Sequence, residues 1–220
     1  MKKHRLELKL ESPTLIGSGE GFGSLVDTDI VFDEVGIPFV PSKRIKGCLR
    51  DSASEADEMF RSSGITFPTN IEKTFGKAGS SESAPAYFSN LFIENYEENK
   101  AWLKYYLKNG NYPGVLSRER ILETFTEIRW QTAINPDGVA QPHSLRTIRV
   151  VKKGIIFYGD VHIEKQDEAI LNTLSVACLN FRLMGTKRNR GFGEVRCTLL
   201  NEDDTEFPIQ KKLEKIVCTV

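Results

Sequence analysis

Between residues 185 and 193 the chain sets Thr186, Lys187, Arg188 and Arg190 among Gly185, Gly191 and Gly193. Cations of this kind make the charge-assisted hydrogen bonds that phosphate oxygens accept, and glycine lets a backbone come close to a ligand or take positive φ without a Cβ penalty. The loop suits an extended phosphodiester better than a small apolar ligand. Two further basic groups lie upstream. Lys43, Arg44, Lys46 and Arg50 form one, and His143, Arg146, Arg149, Lys152 and Lys153 form the other, inside a stretch from 139 to 159 that holds no acid. Acids gather elsewhere, at residues 51–58, 94–98 and 202–206. The 30 lysines and arginines balance the 30 aspartates and glutamates, so net charge is zero. Segregated charge nevertheless creates local potentials of several kT, so RNA binding is read here from distribution and not from the sum.

Other chemistries fit less well. Gly17, Gly19, Gly21 and Gly23 do not match G-x-G-x-x-G and no G-K-[ST] follows, which argues against a nucleotide cofactor and for a flexible loop. Cys48, Cys178, Cys197 and Cys218 are scattered, with only three histidines beside them, so neither a zinc site nor a disulfide framework is expected. All four read as reduced, with Cys48 and Cys178 on apolar helix faces. His4 and His162 fall in predicted strands and read as structural, and His143 as an exposed loop residue. Trp130 is a candidate for stacking on a base, whereas Tyr105 and Tyr106 are expected to pack in a helical core. No apolar run approaches the roughly 18 residues of a bilayer span, and the N-terminus lacks a signal peptide's apolar core. The expectation is a cytoplasmic protein with no membrane partner.

The elements that must position these residues follow from periodicity. Residues 4–10 alternate as a strand, and 28–32 form a short β-like stretch. A helix is expected from Ser42, its N-cap, with Ile45, Cys48, Leu49, Ala53, Ala56 and Phe60 on one face. Gly47 inside it costs about 1 kcal/mol relative to alanine, which close approach of another backbone would offset. Residues 86–93 read as a strand, 97–108 and 117–125 as helices (the latter capped by Ser117), 127–151 as a projecting hairpin with Asn135 to Gly138 at its tip, 155–163 as a strand, 167–184 as a helix stopped by Gly185, and 194–200 as a closing strand. This is an α+β chain with the ferredoxin-like, RRM-like order βαββαβ, both helices covering one face of an antiparallel sheet. Fold alone does not give function.

Three segments in order carry a resemblance. The first runs from Val26 through Asp27, Asp29, Asp33, Pro38 and Pro41 to Lys46, Gly47 and Arg50; the second from Arg129, Trp130, Gln131, Thr132 and Ile134 to Arg146 and Thr147; the third is the glycine loop. Together they resemble the RAMP superfamily of CRISPR-associated proteins, in particular the backbone subunit of type III effector complexes. Ser42, Lys43 and Arg44 depart from the family's usual Gly-Ser-Ser and make the helix start more basic.

The resemblance implies one RAMP domain over residues 1–220, with a helical insertion near 94–126 and a thumb near 127–151. It implies guide (CRISPR) RNA on Ser42, Lys43, Arg44, Lys46, Arg50, Gly185, Thr186, Lys187, Arg188, Arg190 and Gly191. It places a complementary target RNA against the thumb residues Arg129, Trp130, Gln131, Thr132, Ile134 and Arg146. Copies of the chain and other effector subunits are the implied partners, each thumb displacing a nucleotide of the guide–target duplex at a regular interval. Sequence reading would be left to base pairing. The family's target-cleaving acid matches Asp27, with Asp29 the runner-up by adjacency. If this stretch is strand-like the two share a side and could bind a metal jointly; Asp33 reads as a turn acid ahead of Gly36. A carboxylate beside a displaced nucleotide would take the 2′-hydroxyl proton, or hold a divalent cation such as Mg2+ that does so; no tightly bound cofactor is implied. The nearest rival is a structural or capping RAMP subunit that does not cut. Weaker rivals are a repeat-processing endoribonuclease and an RNA-binding module unrelated to CRISPR.

Overall fold

The computed structural model describes residues 2–18, 26–77, 85–110, 112, 114–164, 167–186 and 188–217, with backbone alone for 189 and 215–217. Strand β1 (Lys2–Leu10) buries Leu6, Leu8 and Leu10 on one face and turns Arg5, Glu7 and Lys9 to the other. It runs antiparallel to β5 (Ile156–Ile163) and β6 (Val195–Leu200), so that Leu8 lies opposite Phe157 on one side and Cys197 on the other. A short β2 (Ala86–Phe88) adds to the far edge of β5, giving the strand order β2-β5-β1-β6. With α1 (Ser42–Ser62) and α5 (Glu168–Asn180) connecting them, this is the ferredoxin-like fold, its first and third core strands central.

Helix α1 presents Ile45, Leu49, Ala53 and Ala56 inward at helical spacing. Helix α5 is buried on nearly every side because α1, α2, α6 and strand β6 of the sheet pack around it. Its polar residues are satisfied locally: the Thr173 and Ser175 hydroxyls donate to the carbonyls of Ala169 and Leu171. Asp167 caps it by accepting the Ala169 N–H at 2.8 Å. Each fully buried leucine contributes about 2 kcal/mol. Cys178 and Cys197 are both buried, and their contact together with burial pushes the Cys197 thiol pKa up; Cys218 lies outside the described residues. His4 is buried at the end of β1, and burial lowers its pKa.

The insertions supply α2 (Ile71–Phe75), α3 (Tyr96–Lys108), α4 (Arg118–Phe125), the strand pair β3 (Thr126–Gln131) and β4 (Arg146–Val151), and a terminal α6 (Ile209–Val217). Helices α3 and α4 build a second small core around Val35, Ile37, Tyr96 and Ile121. Asp33 organises the turn beneath it, one carboxylate oxygen accepting the N–H groups of Val35, Gly36 and Ile37, the other accepting the Tyr96 hydroxyl.

Several local expectations change. Ser42 is the first helical residue of α1 and not its cap; Pro41 holds that place, and the Ser42 N–H donates to the Asn90 side chain at 2.8 Å. A Cβ at Gly47 would meet nothing described within 4 Å, so the close backbone neighbour expected there is not present among the described residues. The strand expected over 86–93 ends at Phe88, after which isolated bridges pair Leu91 with Val40 and Phe92 with Tyr158. The helix expected over 167–184 ends at Asn180, because Phe181 turns extended and the chain then bridges Leu183 to Glu194. Tyr105 is 56% exposed and does not pack in the core; it lies on the helix face opposite Tyr96, Leu103 and Leu107.

Candidate nucleic-acid interface

Strands β3 and β4 pair from Thr126 opposite Val151 to Gln131 opposite Arg146, and the hairpin continues to a bridge between Ile134 and Ala140. At its tip Gly138 takes φ +80° and the Asn135 carbonyl-amide oxygen accepts the Val139 N–H. Trp130, Ile134, Val139 and Leu145 stand exposed along it, an apolar surface on a projecting element. Arg129 forks onto Glu127 on its own strand at 2.7 and 2.9 Å, Thr132 shares a hydrogen bond with Ser144, and Arg146 is exposed.

The root of the hairpin is fastened to the acidic stretch after residue 26. Thr28 bridges Ile148, and one Asp27 carboxylate oxygen accepts both the Thr147 N–H at 2.7 Å and the Thr147 hydroxyl at 3.1 Å. These hydrogen bonds hold the Asp27 carboxyl pKa below the usual aspartate range. The residue remains exposed. Asp29, two positions on, is only 3% exposed; it accepts the Ile30 N–H and pairs with the Arg149 guanidinium at 3.1 Å. The two acids therefore occupy different environments, and Asp29 is committed to the protein interior. Beside them lies a recess of about 440 Å3 lined by Val26, Phe32, Leu122, Ile128 and Trp130.

Residues 14–18 tie this region to the glycine loop. Thr14 bridges Val151, Gly17 bridges Ile30, the Ser18 N–H donates to the Asp29 carbonyl, and the Arg44 guanidinium donates to the Gly17 carbonyl at 2.7 Å. On the other side the Thr186 N–H donates to the Leu15 carbonyl. Gly185, at φ +87°, is pressed so close to that carbonyl that a Cβ would collide with it; Gly193, at φ +83°, is pressed equally against the Met184 carbonyl. The close approach these two glycines permit is to the protein's own backbone. At Gly191, φ +76°, a Cβ would meet nothing within 4 Å among the described residues, and Arg188 and Arg190 are exposed beside it. Arg188 and Gly185 share a recess of about 460 Å3 with Cys48 and Asp51 of α1, which brings the loop to the helix that carries Lys43, Lys46 and Arg50. Lys187, Gly19, Gly21 and Gly23 lie outside the described residues.

The sequence model of the RAMP superfamily matches residues 7–196, from the middle of β1 into β6, and so spans the hairpin, the acidic stretch and the glycine loop together. The chain belongs to the RAMP superfamily. Among solved structures, a subunit of the Type III-B Cmr-beta complex bound to cognate target RNA superposes with TM-score 0.65 at 13% identity, covering 90% of this chain and 97% of that one. A subunit of the same complex in the apo state gives TM-score 0.67 at 14% identity, covering 91% and 98%. No curated protein sequence matches.

Within this RAMP chain, one continuous ribbon thus links Asp27, the hairpin root, Arg44 and the glycine loop, whereas Trp130, Ile134 and the hairpin tip project from it. Sequence reasoning did not find the Thr147 clasp or the Arg149 partner of Asp29, each separated by 120 residues. Arg149 was visible only as one of a basic group. Among the described residues no three His, Cys, Asp or Glu side chains converge. No described helix is long and apolar enough to cross a membrane.

Proposed function

We propose that this chain is a subunit of a type III CRISPR effector complex that binds guide RNA along α1 and the glycine loop and cuts complementary RNA at the root of the hairpin through Asp27. The observation that carries the reading is the Thr147 clasp, which fixes an exposed, ionised carboxylate at the base of a projecting apolar hairpin. Exposed cations at Lys43, Arg188 and Arg190 offer sequence-independent phosphate contacts. The likeness to subunits of the Type III-B Cmr-beta complex, one of them bound to cognate target RNA, supports the same assembly, with copies of this chain and other effector subunits as partners.

In this reading Trp130, Ile134 and their neighbours displace a target nucleotide, and the recess beside Asp27 gives its base an apolar place to rest. The freed 2′-hydroxyl attacks the adjacent phosphorus in line. A bond from O2′ to phosphorus forms, the bond to O5′ breaks, and the products are a 2′,3′-cyclic phosphate and a 5′-hydroxyl. Asp27 takes the proton of the attacking hydroxyl, a water gives a proton to the leaving O5′, and the protonated Asp27 returns its proton to the hydroxide left behind. If a divalent cation such as Mg2+ takes part, Asp27 would hold it, and it would supply neutralisation of charge developing on the phosphate.

Asp27→Ala in the assembled complex is expected to lower cleavage of complementary RNA by about 10²–10⁴ while guide binding is retained. Unchanged cleavage rejects Asp27 as the reacting group. The same clasp also favours a second reading, a non-cutting subunit in which Asp27 only fastens the hairpin; it predicts no cleavage by the wild type, whereas a lowered unfolding midpoint in Asp27→Ala is expected in either reading. RNA recovered with the protein expressed beside its own array decides the class, with repeat-derived guides expected.

A further inference from the structure

The recess beside Asp27 has polar groups in its largely apolar wall, and two of them lack partners. Among the described residues three buried side-chain polar atoms have no hydrogen-bond partner: Asp29 Oδ2, Arg118 Nε and His4 Nδ1. The first two belong to side chains that line this recess, whereas His4 belongs to β1. Buried polar groups are nearly always paired, because a lone one forfeits its hydration for nothing. Asp29 is 3% exposed, and the Ile30 N–H and Arg149 Nε–H both donate to its Oδ1, so Oδ2 is left as an acceptor without a donor. Arg118, the first residue of α4, lays its guanidinium over the Phe32 ring, 5.1 Å from the centroid, and its Nε–H is a donor without an acceptor.

An acceptor and a donor in the wall of one apolar recess are the complement of a base edge. Proteins that take a base out of its stack read it by hydrogen bonds to the Watson–Crick edge and by packing on aromatic and apolar side chains. Here Phe32, Leu122, Ile128 and Trp130 supply the packing. Glu119 and Glu123 border the same recess and repel phosphate, so a neutral ring is favoured over an anion. Guanine sets two donors, the N1–H and the exocyclic amino group, beside the acceptor O6. One carboxylate oxygen accepts from both donors while a guanidinium N–H meets O6. Adenine and cytosine offer a single amino donor, and uracil a single N–H on a smaller ring. We propose that the recess is a guanine-selective pocket in which Asp29 Oδ2 and Arg118 Nε read the edge of the nucleotide that the hairpin displaces. Both atoms are closed to solvent, so the entering ring must move side chains aside; guanine offsets that cost with hydrogen bonds that the other bases make less fully. The inference deepens the proposed function and rests on it for the displacement. Base pairing chooses the target, and the recess grades the cut sites within it.

Single-turnover cleavage and target release by the assembled complex test the pocket. Targets carry each of the four bases in turn at each position, with the guide changed so that every pair stays matched. Wild type is expected to cut about tenfold faster where guanosine occupies the displaced position than where any other base does. The Asp27→Ala complex is expected to release that same target about tenfold more slowly. Inosine, which lacks the exocyclic amino group, should fall between guanosine and the rest without any change to the protein. Arg118→Met keeps the length of the side chain and removes its N–H, and is expected to bring the four rates within about twofold of one another. Equal rates and equal release for the four bases, a preference for another base, or a guanosine preference that survives Arg118→Met overturns the proposal. A wild type that cuts nothing yet releases guanosine targets slowly supports the pocket and rejects cleavage by this chain. Uniform cutting that Asp27→Ala abolishes rejects the pocket and leaves Asp27 as the reacting group.

Discussion

The hairpin root and the glycine loop solve one problem in the same way with different residues. At the root Asp29 is buried against Arg149 and anchors the backbone, and Asp27 two residues away keeps its carboxylate at the surface. In the loop Gly185 and Gly193 are wedged against carbonyls of the protein, and Gly191, Arg188 and Arg190 face outward. Within each region residues of like chemistry divide anchoring from presenting. The type of a residue does not tell which duty it has; its distance from a second backbone does.

Removing an anchor should cost stability, and removing a presenter should cost function. The largest effect is expected from Asp29→Ala, which leaves the Arg149 guanidinium, 15% exposed, without its partner and the Ile30 N–H without an acceptor. Breaking such a pair is expected to destabilise the fold by about 3 kcal/mol, measured by urea unfolding. If Asp29→Ala unfolds like the wild type while Asp27→Ala does not, the two duties are reversed.

The loop allows the same division to be sharpened at smaller amplitude. Gly193→Ala forces a Cβ against the Met184 carbonyl at a φ that side chains avoid, an expected loss of about 2 kcal/mol. Gly191→Ala shares the positive φ but meets no atom of the described residues, so it should lose less. Arg188→Ala with Arg190→Ala should leave unfolding unchanged and flatten the salt dependence of RNA binding by roughly 1.4–1.8 in logarithmic slope, two phosphate contacts' worth of released counterions. An unaltered slope means the loop does not touch the strand.

Much of the frame was legible from local pattern. Leu6, Leu8 and Leu10 declare a strand with one buried face, the apolar spacing from Ile170 to Cys178 declares α5, and Ser117 caps α4 by accepting the Arg120 N–H. Asp33 ahead of Gly36 reads as a turn because its acceptor meets donors two to four residues on. The pairings that give the site its character were not legible. Thr147 meets Asp27 and Arg149 meets Asp29 across 120 residues, and nothing in either stretch names the other. For α3 the helix was readable but its covered face was not. Which side of an amphipathic helix is buried depends on what packs there, and only Tyr96, Leu103 and Leu107 find the small core.

The smallest expected effect is also the one that separates Asp27 from a histidine. Its carboxylate accepts two hydrogen bonds from Thr147, chiefly the backbone N–H, and its pKa is held below the ordinary aspartate value. A depressed folded pKa contributes stability that is present above the unfolded pKa and is lost as pH falls through the folded one. The clasp at the hairpin root should therefore be intact at every pH above about 4 and loosen only below it. By the same sign Asp27 stays ionised between pH 5 and 8, and single-turnover cleavage in that window should show no acid limb from this group. His143, exposed on the hairpin, is the nearby alternative. An acid limb in that window would have to come from a group other than Asp27. If His143→Gln then flattened the profile while Asp27→Ala still cut, the proton transfer would belong to the hairpin and Asp27 would be reduced to its fastening.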